Sequence, residues 1–165
     1  MKNFQEITVK ELNENAFKLI GTDWTLITAG NKDGLNTMTA SWGGVGVLWN
    51  KNVAFIFVRP QRYTREFLDN NDNFTLSFFD GMRDSLTICG RKSGRDCDKI
   101  AEAGLTPVFT EKAPYFDEAR LVLVCRKLYR QRLSEDSIID KSILKEYANN
   151  DFHYMYVAEI EKVLK

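Results

Sequence analysis

Between Asn36 and Arg95 the chain gathers the residue types that hold a phosphorylated ring compound. Asn36, Thr37, Thr39 and Ser41 put an amide and three hydroxyls on a β-prone stretch, where burial is costly unless each polar group finds a partner. Interleaved Met38 and Ala40, with Trp42 and Trp49 beyond them, can wall a flat ring, although tryptophans also serve as ordinary core. Arg59 and Arg62 then flank Pro60, and Tyr63 and Thr64 add hydroxyls; forked guanidinium groups suit an anion such as phosphate. Lys92, Ser93 and Arg95 lie in a Gly-containing loop, Gly90 to Asp96, that leads into a helix and can cradle phosphate or simply be solvated. His153 is the lone histidine, either a hydrogen-bonded structural residue or one placed over the ligand.

These residues need strands and tight connections to bring them together. The spacing of Leu12, Ala16, Leu19 and Ile20 predicts a helix over 9–20, ended by Gly21. Strands are expected over 24–29, 35–42, 53–58, 74–79, 119–133 and 154–160, with 31–34 a turn and 108–110 a short edge strand. Gly43, Gly44 and Gly46 mark either a barrel corner or a close approach by a ligand. The VAFIFV run at 53–58 reads as a strand buried on both faces, ended by Arg59-Pro60. Thr64 is expected to cap a helix over 65–70, whose N-terminus would favour an anion. Short helices are also expected over 82–89, from Asp96 or Asp98, and over 142–147. Short antiparallel strands with small helices between them fit a barrel better than a doubly wound sheet.

The totals narrow the function classes. At 165 residues, 44% hydrophobic and 28% charged, the chain reads as one globular domain spanning 1–165. Equal numbers of acids and bases, 23 each, disfavour nucleic acid and anionic membrane as partners. No apolar run has the length of a membrane span and MKNFQEITVKEL lacks a signal-peptide core, so a cytoplasmic protein is expected. Cys89, Cys97 and Cys125 have no CxxC spacing, and one histidine is too few for a zinc set, so free thiols and no metal are expected. The absence of GxGxxG after a strand argues against a Rossmann site.

The strings NTMTASWGG, LW, VRPQRYT, KSGRDCDK and AGLTP, in that order between Trp24 and Glu159, resemble the flavin reductase-like, flavoredoxin-type proteins of the FMN-binding split-barrel group. The resemblance implies a mainly β, antiparallel, Greek-key-like split barrel with short helices. It implies FMN as cofactor, NADH or NADPH as possible electron donor, and a homodimer with FMN at the interface. It also places Lys92, Ser93 and Arg95 on the flavin phosphate side. Tyr115, Phe116, Phe152, Tyr154 and Tyr156 would be interface anchors or core. Near the family's histidine, Ala158 stands where a Gly-Glu-Ile pattern has its glycine. Three activities remain open: an NAD(P)H-dependent flavin reductase passing hydride to flavin N5, a non-enzymatic FMN electron carrier serving a protein partner, and a relative that binds a pyridoxal-type phosphate.

Overall fold

The computed structural model describes residues 3–165; Met1 and Lys2, which open the segment read for a leader, lie outside them. The strands are β1 (Glu6–Ile7), β2 (Thr25–Asn31), β3 (Gly34–Ala40), β4 (Gly43–Leu48), β5 (Lys51–Val58), β6 (Asn73–Phe78), β7 (Pro107–Val108), β8 (Tyr115–Phe116), β9 (Leu121–Arg132) and β10 (Tyr154–Leu164). The helices are α1 (Thr64–Asn70), α2 (Arg83–Arg91) and α3 (Lys99–Glu102). The main sheet is antiparallel with path β3-β2-β6-β9-β10-β5-β4, and β1 joins β10 from outside that path. The strands β3 and β4 are the two ends of the path, yet only Ser41 and Trp42 separate them in sequence. Extended chain covers about 3.5 Å per residue. The sheet must therefore curl until its ends meet at this corner, which makes it a split barrel.

Glycine makes the corner possible. Gly43 has φ +147°, and a Cβ there would lie 2.6 Å from the Phe55 carbonyl oxygen. The close approach at Gly43 is thus one of backbone to backbone, the barrel-corner alternative. The Ala158 that replaces a family glycine sits fully buried where the β9–β10 register shifts, opposite Lys127.

Two apolar layers lie on either side of the sheet. Ile27, Met38, Ala40, Leu68, Phe74, Leu76 and Tyr156 belong to one; Leu26, Leu86, Cys89, Phe116 and Val122 belong to the other. Adjacent residues of β2 and β3 go to opposite layers, as the two-residue strand period requires.

Several expectations are corrected. The helix over 9–20 is broken into a 3-10 turn at Val9–Glu11 and a π-helical turn at Lys18–Asp23 that runs through Gly21. Glu11 explains the first piece, because its carboxylate accepts from Thr8 N–H and Oγ1, each at 2.7 Å, and holds a tight turn. The edge strand at 108–110 is instead Pro107–Val108, paired with Tyr115–Phe116 in a separate ribbon. The helix read over 82–89 runs on through Gly90 and Arg91, so the loop begins only at Lys92. The short helix expected over 142–147 is present as a 3-10 helix, Lys141–Tyr147. Of the aromatics read as interface anchors or core, Phe116, Phe152 and Tyr156 are buried within the chain, the core alternative.

Candidate functional site

The outer edge of β3 is not paired with another strand among the described residues. Three connected clefts lie along it, and Arg62 lines all three. The largest, about 360 Å³, is bounded by Met38, Thr39, Ala40, Ser41, Trp42, Phe57, Arg59, Gln61, Arg62 and His153. A second, about 240 Å³, runs between Trp24, Thr39 and Ser41 on one side and Leu86, Thr87 and Gly90 of α2 on the other. A basic recess of about 160 Å³ is lined by Met38, Gln61, Arg62, Tyr63, Thr64, Arg91, Lys92, Ser93 and Lys99. Of the predicted site residues, the fold thus brings Met38, Thr39, Ala40, Ser41, Trp42, Arg59, Arg62, Tyr63, Thr64, Lys92, Ser93 and His153 to these clefts.

Besides the exposed Arg91, the recess owes its character to two inward cations without a carboxylate partner. Arg62 is largely buried and donates from Nη1 to the Gly90 carbonyl at 2.6 Å. Lys99 is only 3% exposed, and its Nζ donates to the carbonyls of Cys89 at 3.2 Å and Lys92 at 3.1 Å. Both cations therefore cap the C-terminal carbonyls of α2, a favourable but partial compensation. Burial lowers both pKa values, and repulsion adds to this, from Arg59 on Arg62 and from Arg62 on Lys99. Charges held in this way carry a desolvation cost that an anion in the recess would offset. Gly94 closes against the wall beside it: a Cβ there would lie 2.2 Å from Asn36 Oδ1.

Other predicted cations are already paired. Arg59 meets Asp151 at 2.7 Å and donates to the Glu146 carbonyl at 3.0 Å. Lys92 is bound to Glu102, and Arg95 to Glu66, with Arg95 also stacked over the Tyr63 ring. Arg95 lies outside the recess, in a neighbouring groove with Asn36 and Lys99. Thr64 does not cap α1 but is its first residue, after Tyr63, and its buried Oγ1 accepts from Asn36 Nδ2 at 2.8 Å. The N-terminus of α1 offers an anion less than expected, because the Arg65 and Glu66 amides already donate to the carbonyls of Arg62 and Tyr63.

Two more predicted residues stand apart. Thr37 is fully buried, with Oγ1 2.9 Å from Thr28 Oγ1 and donating to the Ile27 carbonyl at 3.1 Å; its hydroxyl is satisfied inside the sheet. Trp49 sits in the β4–β5 turn at φ +52°, 55% exposed and edge-on to Tyr129, away from the clefts. Conversely, Lys99, Phe57 and Gln61 line the clefts without having been singled out in the sequence. Asp98 caps the single-turn α3 by accepting from the Ala101 amide, which sets Lys99 directly after the cap and turns it into the fold. Phe57 was hidden by reading VAFIFV as buried on both faces, whereas Phe55 and Phe57 are only partly covered.

His153 lines the large cleft and not the recess. Its ring lies 5.3 Å from Trp42 and 6.5 Å from Phe57, and Nδ1 is 2.9 Å from Tyr147 Oη. Burial first, and then the Arg59 charge, push its pKa down to about 4, so the imidazole is neutral near pH 7. A neutral ring with that pKa is poorly suited to proton transfer at neutral pH. Burial also raises the Cys89 thiol to about 11 and moves Cys125 upward, which leaves both as inert free thiols. No group of metal-ligating side chains occurs among the described residues. No helix there is long and apolar enough to cross a membrane.

No curated protein matches the chain. Among solved structures it is similar to a flavoredoxin from Methanosarcina acetivorans, with 25% identity, TM-score 0.67, and coverage of 86% of this chain and 67% of that one. It also shares its fold with an FMN-binding domain of flavin reductases-like enzyme from Shewanella baltica (16% identity, TM-score 0.70, coverage 98% and 76%). A third, the NADH:FAD oxidoreductase SgcE6 of Streptomyces globisporus, has 18% identity and TM-score 0.63, with coverage of 86% and 73%, in a complex with NAD and FAD fragments. The family model described as flavin reductase like domain matches residues 17–163, nearly the whole chain. With the split barrel and its end-strand clefts, that match places the chain in the flavin reductase-like domain family.

Proposed function

We propose that the chain binds FMN along β3 and acts as an NAD(P)H-dependent flavin reductase. The observation that carries the reading is the pair Arg62, partly buried, and Lys99, buried, which line the same basic recess without a carboxylate partner. A phosphate there would receive charge-assisted bonds and relieve the repulsion between the two cations. Ser93 and Thr64 add hydroxyls at the same place, and the adjoining cleft, flanked by Met38, Ala40, Trp42 and Phe57, suits a flat ring. The donor set therefore fits FMN. Bound FMN would supply a ring nitrogen, N5, able to accept hydride from a nicotinamide.

The residues of this chain bind and orient rather than exchange protons. Arg62 and Lys99 anchor the phosphate, and the backbone edge of β3 from Met38 to Ser41 offers hydrogen bonds to a ring edge. Trp42 and His153 narrow the open face and limit water. His153 stays neutral throughout, so no general base is assigned.

The same reading includes a homodimer. Val47 is 72% exposed, Trp49 and Tyr129 are exposed beside it, and β4 ends the sheet path, so this hairpin is the candidate contact. Trp49, remote from its own cleft, would then reach the partner's. A second reading, an FMN electron carrier without nicotinamide turnover, is favoured by the likeness to flavoredoxin at 25% identity.

An absorption titration with FMN, followed by anaerobic NADH and then NADPH, decides between them. A bound-flavin spectrum that bleaches within seconds supports the reductase. Bound flavin that stays yellow with both donors supports the carrier, and absence of binding overturns both.

A further inference from the structure

The 3-10 segment Lys141–Tyr147 ends in a side chain that touches no cleft yet contacts the one histidine that does. Tyr147 Oη lies 2.9 Å from His153 Nδ1, and the two rings meet edge-on at 5.5 Å. Tyr147 itself is held on two sides. Its ring stacks on Phe152 at 4.5 Å with an interplanar angle of 17°, and the Arg59 guanidinium lies 5.3 Å from its centroid. Arg59 is in turn pinned by Asp151. At the start of the segment, the Asp140 side chain accepts from the Ser142 amide at 3.0 Å.

A neutral imidazole carries one ring proton, and a phenol carries one. The tyrosine is nearly buried, and among the described residues Nδ1 is the hydrogen-bond partner recorded for Oη. If the phenol donates to Nδ1, both groups are satisfied by one bond. If Nδ1–H donated instead, the phenolic proton would be left buried without an acceptor, which is costly. Burial also favours the protonated phenol. The ring proton of His153 therefore belongs on Nε2, the nitrogen remote from Tyr147, on a residue that lines the large cleft.

We propose that Tyr147 is a positioning residue: its hydroxyl donates to Nδ1 and holds His153 as a fixed Nε2–H donor, which takes a carbonyl oxygen or other electron-rich atom of the bound ligand. The tautomer part stands on this chain alone; the acceptor part rests on the reading that the cleft holds a flavin. Neutral His153 then acts as a polariser rather than an acid or base. Tyr147 lies outside the clefts and acts only through the imidazole.

His153 is the sole histidine of the chain, so labelling histidine with the heavy nitrogen isotope gives one imidazole and needs no assignment. In the flavin-free wild type at neutral pH, a single Nε2–H tautomer is expected. A spectrum of the Nδ1–H form, or one averaged between the two, would overturn the proposal without any variant being made. Tyr147→Phe keeps the stacking on Phe152 and removes only the donor; loss of the single tautomer in a folded variant is expected, and an unchanged spectrum would refute the positioning role. Added FMN should then shift the Nε2–H resonance. FMN that binds by absorption yet leaves that resonance in place would overturn the donor contact, whereas FMN that does not bind would overturn the proposed function and leave the tautomer result standing.

Discussion

Replacing Lys99 by methionine tests the recess most directly. Methionine preserves most of the volume, and it removes the charge and both hydrogen bonds to the Cys89 and Lys92 carbonyls. If Lys99 makes one charge-assisted bond to phosphate, its loss costs about 1.5–3 kcal/mol, which is roughly 10- to 150-fold in Kd. Riboflavin has the same ring and no phosphate, so its affinity should change little. The assay is a pair of fluorescence titrations, FMN and riboflavin, on wild type and variant. An equal loss for both ligands would mean that the substitution had only disturbed α2, and unchanged FMN affinity would remove Lys99 from the site. The variant also carries a stability signature. Folding lowers the Lys99 pKa, so the unfolded chain holds that proton more tightly, and wild-type stability must rise as pH climbs from the folded value towards the unfolded one. Lys99→Met should lack that rise in urea midpoints measured on the alkaline side.

Further outcomes follow from other contacts. His153 has its folded pKa depressed to about 4 from an ordinary 6.5, so its contribution to stability is present above 6.5 and is lost as pH falls towards 4; urea midpoints of wild type and His153→Asn should converge across that window. Gly94→Ala drives a Cβ into Asn36 Oδ1 and should destabilise the chain by about 1–3 kcal/mol, measured by denaturant unfolding. Asn36→Ala should relieve part of that clash in the double variant, and strict additivity would contradict the contact. Arg62→Ala should weaken FMN binding by about 1.5–3 kcal/mol, and unchanged affinity in the folded variant would refute its role. Sedimentation should show a dimer that Val47→Glu dissociates; a wild-type monomer with full FMN affinity would sink the shared-site arrangement.

Most of the strand positions along the chain were legible because they are written locally. Alternation and β-branched content marked β2, β3, β5, β6, β9 and β10, and the turn residues Asn31 to Gly34 marked the first hairpin. The helix over 9–20 failed because periodicity says nothing about a carboxylate such as that of Glu11 returning to its own turn. Thr37 and Asn36 illustrate a similar loss. Both looked like ligand groups, yet Thr37 meets Thr28 across the same hairpin, and Asn36 meets Thr64 of a helix that becomes its neighbour only on folding.

The amino-acid sequence by itself determined which residue types were available: the polar run of β3, the arginines around Pro60, and the glycines that turn the corner. Tertiary structure alone decided which cations are free to meet an anion. Arg59, Lys92 and Arg95 acquire carboxylates from Asp151, Glu102 and Glu66, whereas Arg62 and the unsuspected Lys99 do not. The reason is that Coulomb attraction depends on distance and desolvation on burial, and both are set by which segments the curled sheet brings together.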